Sequence, residues 1–170
     1  MEMKKVSIYT DGSCRLNGEA GAAGGWSAIL QYKDSQNVLH ERQLNGYESN
    51  SSNNRMELTA VVEGLKALRK PCEVSVFSDS TYVASYGLSM QDWQNRGWKR
   101  KDGKNIANAE LWQELGRVAR EGGHTLSFHH CRSAEAQMDI HRRAEAIARK
   151  ESMVCRSQQM TMLKTEPAGE

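Results

Sequence analysis

The sequence predicts an α/β domain on a mixed sheet whose first half is antiparallel. Three strand-like runs come first, with no helix between them. Strands then alternate with helical stretches, as parallel strands joined by crossovers require. The chain has 170 residues, enough for one sizeable core and too few for two ordinary domains.

Residues 5–10 alternate, with Val6 and Ile8 against Ser7 and Tyr9, and Asp11-Gly12-Ser13 reads as a turn closing that strand. A glycine-rich stretch, residues 18–25, leads to a second strand over 26–32, and residues 37–47 suit a third. Polar residues 49–54 can cap a helix running from about Arg55 to Arg69, which Pro71 stops. Residues 73–78 form a short β-rich run ending at Asp79, and residues 80–88 can be helical. Residues 108–121 are amphipathic through Leu111, Trp112, Leu115 and Val118, up to Gly122-Gly123. Residues 124–131 read as a fifth strand and 134–151 as a long helix. Beyond Ser152 no periodicity continues, so a domain is expected over residues 1–152 and a flexible tail over 153–170.

Hydrophobic residues make up 38% and charged residues 26%, which excludes a disordered chain. The net charge of +2 names no partner by itself. Four scattered cysteines without a Cys-x-x-Cys pair suit reduced thiols better than a disulfide framework or a zinc site. No window approaches the roughly 18 apolar residues of a membrane span. A monomer in the cytoplasm, without membrane contact, is expected.

Carboxylates stand where they need a reason. Asp11 and Asp79 each follow a strand, at the sheet edge where α/β proteins form ligand sites; the plain alternatives are a turn and a helix cap. Glu57 is harder to explain away. At helical spacing it shares an arc of about 100° with Val61, Gly64, Leu65 and Leu68, the stripe that faces the sheet. A buried, unpaired carboxylate costs several kcal/mol or takes up a proton. A buried Lys or Arg could compensate, and so could a metal. If the helix crosses the strand ends, Asp11, Glu57 and Asp79 converge, and hard oxygen ligands of this kind suit Mg²⁺ or Mn²⁺.

Three blocks carry a family resemblance: Tyr9-Thr10-Asp11-Gly12-Ser13-Cys14, Ser52-Asn53-Asn54-Arg55-Met56-Glu57-Leu58 and Ser78-Asp79-Ser80-Thr81-Tyr82-Val83. In order and separation they resemble the signature of bacterial type 1 ribonuclease H, over residues 4–151. The resemblance implies a ribonuclease H-like fold, a five-stranded mixed sheet with its first three strands antiparallel and helices flanking it. It also implies two-metal hydrolysis of the RNA strand of RNA–DNA hybrids, leaving 5′-phosphate and 3′-hydroxyl ends. Asp11, Glu57 and Asp79 become metal ligands, and Asn17, Asn53 and Asn54 match residues that contact the hybrid backbone. The family's fourth carboxylate is an aspartate in a stretch like Arg-Ala-Asp-x-Leu-Ala-Arg, where this chain has Arg143-Ala144-Glu145-Ala146-Ile147-Ala148-Arg149. Glu145 is the candidate and Asp139 its rival. The loop before that helix, residues 132–137, lacks the family's histidine, while His129, His130 and His141 lie elsewhere.

Between Trp93 and Lys104 five basic residues face one acid. Trp93, Arg96, Trp98, Lys99, Arg100 and Lys101 therefore form a candidate grip on nucleic acid; tryptophans in the core under a solvated basic surface are the plain alternative. Two further readings stand beside the nuclease one: a hybrid-binding protein with weakened catalysis, and a related DNA nuclease.

Overall fold

A computed structural model describes residues 2–131 and 135–165. Its elements run β1 (Lys4–Arg15), β2 (Ala23–Lys33), β3 (Leu39–Ser49), α1 (Asn53–Lys66), β4 (Cys72–Ser78), α2 (Thr81–Gly87), α3 (Met90–Asn95), α4 (Ala109–Gly122), β5 (Thr125–His130) and α5 (Glu135–Thr165). The sheet order is β3-β2-β1-β4-β5. The first three strands pair antiparallel, and β4 and β5 join parallel on the other side of β1, as the sequence predicts.

α1 covers one face of the sheet. Its Leu58, Val61 and Leu65 join Val6, Ile8, Val74 and Val76 in one buried cluster, which Trp112 and Leu115 of α4 extend. Burying each such side chain stabilises by about 1.5–3 kcal/mol. α5 covers the opposite face, where Ala144 packs with Tyr9 and Ile29. Small residues bring α5 close: a Cβ on Gly25 would collide with the backbone of Ala148 and Ser152.

Two boundaries differ from the sequence reading. Asp11-Gly12-Ser13 is not a turn, because β1 continues to Arg15 paired along β2, with Asp11 opposite Ser27 and Arg15 opposite Ala23. The antiparallel partner supplies the backbone hydrogen bonds that a turn would otherwise supply. The last helix does not stop at Glu151 but runs to Thr165, so residues 153–165 are helical instead of a loose tail. Ser152 and Cys155 are buried under that stretch. Small, weakly apolar residues make these contacts, so no hydrophobic stripe announced them.

Candidate active site

The parallel pairing of β1 with β4 ends at Thr10 opposite Ser78. One residue further stand Asp11, still within β1, and Asp79, just past the end of β4. Ser78 and Ser80 shape the chain around Asp79: Ser80 N donates to Ser78 Oγ at 3.1 Å, and Ser80 then caps α2. Cys131 N donates to the Ser78 carbonyl at 2.8 Å and closes the end of β4.

Glu57 arrives from α1. Ser52 caps this helix by accepting from Arg55 N at 3.1 Å, and Glu57 sits one turn in, 6% exposed. Its backbone packs directly on Gly12, beside Asp11. Asp11, 5% exposed, accepts from Gly12 N at 2.8 Å. Asp11, Glu57 and Asp79 each offer an oxygen within 4.8 Å of the others. Glu57 Oε2 is buried with no donor.

Burial raises the Asp11 carboxyl to about 6, and the charges of Asp79 and Glu145 push the same way against hydrogen bonds from Glu57 and Gly12. Burial also holds the Glu57 carboxyl well above its ordinary range, with Asp11 and Asp79 adding to it. The expected convergence is therefore present, and among the described residues no Lys or Arg neutralises Glu57. Without cations the group must retain protons. With them, three hard oxygens suit a divalent ion.

The position of α5 brings one of the two rival acids to the carboxylate cavity. Ser27 Oγ donates to the Ala144 carbonyl at 2.6 Å, pinning the helix over β2 one residue before Glu145. Glu145 lines the same cavity of about 350 Å³ as Asp11, Glu57, Asp79 and Asn53. Asp139 does not line it; its side chain is 81% exposed and pairs with Arg142 at 3.6 Å. Arg149, which the sequence reading did not single out, lines the cavity as well and pairs with Glu145 at 2.5 Å. Its i,i+4 spacing from Glu145 was the available signal.

None of the described histidines lines this cavity. His129 stacks on Phe77 and contacts Ser127 at 3.0 Å. His141 meets Tyr9 edge-on, and burial lowers its pKa. The stretch that lacks the family's histidine begins with residues 132–134, which lie outside the described residues.

The asparagines link two sites. Asn17 Oδ1 accepts from Asn53 N at 3.0 Å, tying the turn after β1 to the start of α1. Asn53 lines the carboxylate cavity, while the adjacent Asn54 lines a second cavity of about 690 Å³ with Arg96, Arg100, Lys101 and an edge of Trp93. The tryptophan expectation is revised here. Trp93 is buried against Trp112 and Tyr86, so packing takes most of its surface. Trp98 is half-buried against the core. Lys99 turns to Asn105 and does not line the second cavity.

A family model described as RNase H matches residues 3–153. The chain belongs to the RNase H family. A Ribonuclease H of Cupriavidus necator is 43% identical over 148 residues, 86% of this chain and 94% of that protein. One from Acetivibrio thermocellus is 46% identical over 119 residues, 69% of this chain and 76% of that protein. Among solved structures, LC9-RNase H1, described as a type 1 RNase H with the type 2 active-site motif, superposes with a TM-score of 0.73 at 27% identity. That match covers 91% of this chain and 75% of the other. An RNase H domain from Mycobacterium tuberculosis shares the fold, with a TM-score of 0.61 at 22% identity over 92% of this chain and 99% of that domain. RNase H proteins use divalent metal, and the acidic group at the end of β1 is compatible with it.

Proposed function

We propose that this RNase H protein is an endonuclease that hydrolyses the RNA strand of RNA–DNA hybrids, leaving a 5′-phosphate and a 3′-hydroxyl. The observation that carries the reading is the convergence of Asp11, Glu57 and Asp79 within 4.8 Å, with no Lys or Arg at Glu57 among the described residues. Asp11, Glu57 and Asp79 would hold a divalent ion, with Glu145 at the same cavity to assist a second. Mg²⁺, or Mn²⁺ in its place, would when bound supply Lewis acidity for water attack and for the leaving oxygen.

The chain's own groups do the rest. Asp11 and Glu57 are buried and Asp79 is exposed, so the site opens to solvent at Asp79 and excludes it at Glu57. Asn17, Asn53 and Asn54 face the minor-groove side, where RNA displays its 2′-hydroxyls and DNA has none. Arg96, Arg100 and Lys101 grip phosphates of the DNA strand in the second cavity, with Asn53 and Asn54 between it and the carboxylate cavity where the RNA strand is cut. The chain acts as a monomer in the cytoplasm. Four free cysteines suit that reducing compartment, and no helix among the described residues is long and apolar enough to cross a membrane. A dimer in sedimentation would contradict the monomer.

The test is cleavage of a labelled hybrid, duplex RNA and duplex DNA with Mg²⁺, with Mn²⁺ and with EDTA. Metal-dependent cuts in the hybrid's RNA strand are expected, and Asp11→Asn should remove them. Cleavage of duplex DNA instead would favour a DNA nuclease. The ion pair of Arg149 with Glu145 favours a second reading, a hybrid-binding protein of weakened catalysis. That reading predicts hybrid binding in EDTA and no turnover with either metal.

A further inference from the structure

The family match ends at residue 153, whereas α5 continues to Thr165. α5 is stitched to β3 by contacts that climb both elements together. Arg143 pairs with Glu41 at 2.5 Å, Asn45 donates to Glu151 at 2.6 Å, and Cys155 Sγ and Gln159 Nε2 meet Ser49 Oγ at 3.7 and 3.3 Å. Cys155 is 1% exposed at that last junction.

Gln159 does more than hold Ser49. Its Nε2 also reaches the Ala22 carbonyl at 3.5 Å, and its Oε1 accepts from Arg156 at 3.3 Å, so both ends of the amide are used. The same Ala22 carbonyl accepts from Asn50 N at 2.7 Å. It is thus the rear anchor of residues 16–22, the segment that carries Asn17. The front anchor is the bond from Asn53 N to Asn17. Leu16, Gly18 and Gly21 all have positive φ. The segment's own turn bonds run from Glu19 N to the Leu16 carbonyl at 2.9 Å and from Ala22 N to the Glu19 carbonyl at 3.3 Å, and for Leu16 the left-handed backbone carries strain.

We propose that Gln159 is a positioning residue for hybrid recognition: the end of α5 fixes the junction of Ala22, Ser49 and Asn50, and so keeps Asn17 and Asn53 in register for the substrate backbone. This rests on the reading that those asparagines touch the hybrid. α5 then serves recognition with turns that lie beyond the family match, at a distance from the carboxylates.

The test combines amide exchange of the free protein with steady-state kinetics on Gln159→Ala and Gln159→Glu. Alanine removes the donor. Glutamate keeps the size and the Arg156 contact but turns an acceptor toward the Ala22 carbonyl. In both variants exchange in residues 16–22 should quicken about three- to tenfold, the effect of one lost hydrogen bond. KM for the hybrid should rise by a similar factor, with kcat within about twofold and the melting temperature nearly unchanged. Unchanged exchange in residues 16–22 would overturn the proposal, and so would faster exchange with an unaltered KM. Should the wild-type protein fail to cleave hybrid, the nuclease reading would fall, while exchange and hybrid affinity would still decide the role of Gln159.

Discussion

The backbone nitrogen of Glu57 lies where only a glycine at position 12 can meet it. A Cβ on Gly12 would come within 2.5 Å of that nitrogen and 2.8 Å of the Met56 carbonyl carbon. Backbone atoms of a helix cannot swing aside as a side chain does, so α1 itself would have to move. The glycine beside Asp11 therefore sets the distance between two of the three carboxylates.

Gly12→Ala should accordingly destabilise the fold by about 1–3 kcal/mol, the usual cost of overpacking. Metal-dependent cleavage should fall further than stability does, because Glu57 is displaced from Asp11. Chemical denaturation and a hybrid cleavage assay on one preparation check this. Wild-type values in both would show that α1 is free to shift.

Asp11 and Glu57 make the stability of the metal-free protein depend on pH. Both folded-state pKa values are raised, Asp11 from 3.8 to about 6. The folded state therefore holds protons that the unfolded chain releases. This contribution is complete below about pH 4, and for Asp11 it is lost as pH rises through about 6. In EDTA, Asp11→Asn should raise the melting temperature at pH 8 more than at pH 5. Mg²⁺ must displace those protons, so its stabilisation should run the opposite way, larger at pH 8 than at pH 5. At a hundredfold excess over its dissociation constant the shift should be roughly 5–10 °C. An equal shift at both pH values would mean that Mg²⁺ binds elsewhere.

Glu57 was legible in the sequence because helical periodicity alone sets it on the apolar stripe, where a carboxylate needs compensation. The strand order was legible for a similar reason, since hydrophobic alternation and helical spacing are local signals. The bond from Ser27 to the Ala144 carbonyl joins residues 117 apart and leaves no local trace, yet it is what sets Glu145 over the site. Asp11 was misread as part of a turn because Asp-Gly-Ser suits one well, and only the pairing partner on β2 overrides that preference. The end of α5 was missed because Ser152, Cys155 and Gln159 are held by packing and polar contacts, not by an apolar stripe.

Exposure and partners separate the two acids of α5. Glu145→Gln should lower kcat about 10- to 100-fold, whereas Asp139→Asn should leave it unchanged. Arg149→Ala releases Glu145 from its ion pair and should shift the metal concentration needed for half-maximal activity. Turnover measured across a Mg²⁺ and a Mn²⁺ series checks all three. A loss with Asp139→Asn equal to that with Glu145→Gln would reverse the assignment.

The basic segment divides in the same way, between groups that line the second cavity and groups already engaged. Arg96, Arg100 and Lys101 line it, while Lys99 is bonded to Asn105. If the segment meets about four phosphates, hybrid affinity should fall on the order of a hundredfold between 50 and 200 mM salt. Replacing Arg96, Arg100 and Lys101 together by alanine should weaken binding at low salt and flatten that dependence by about three phosphate equivalents. Lys99→Ala should leave the slope nearly as it was, because Asn105 already takes its ammonium. Hybrid titrations in EDTA at several salt concentrations measure both slopes. A triple variant with the full wild-type slope would place the DNA strand on another face, and a large effect of Lys99→Ala alone would mean that the contact with Asn105 opens when the hybrid binds.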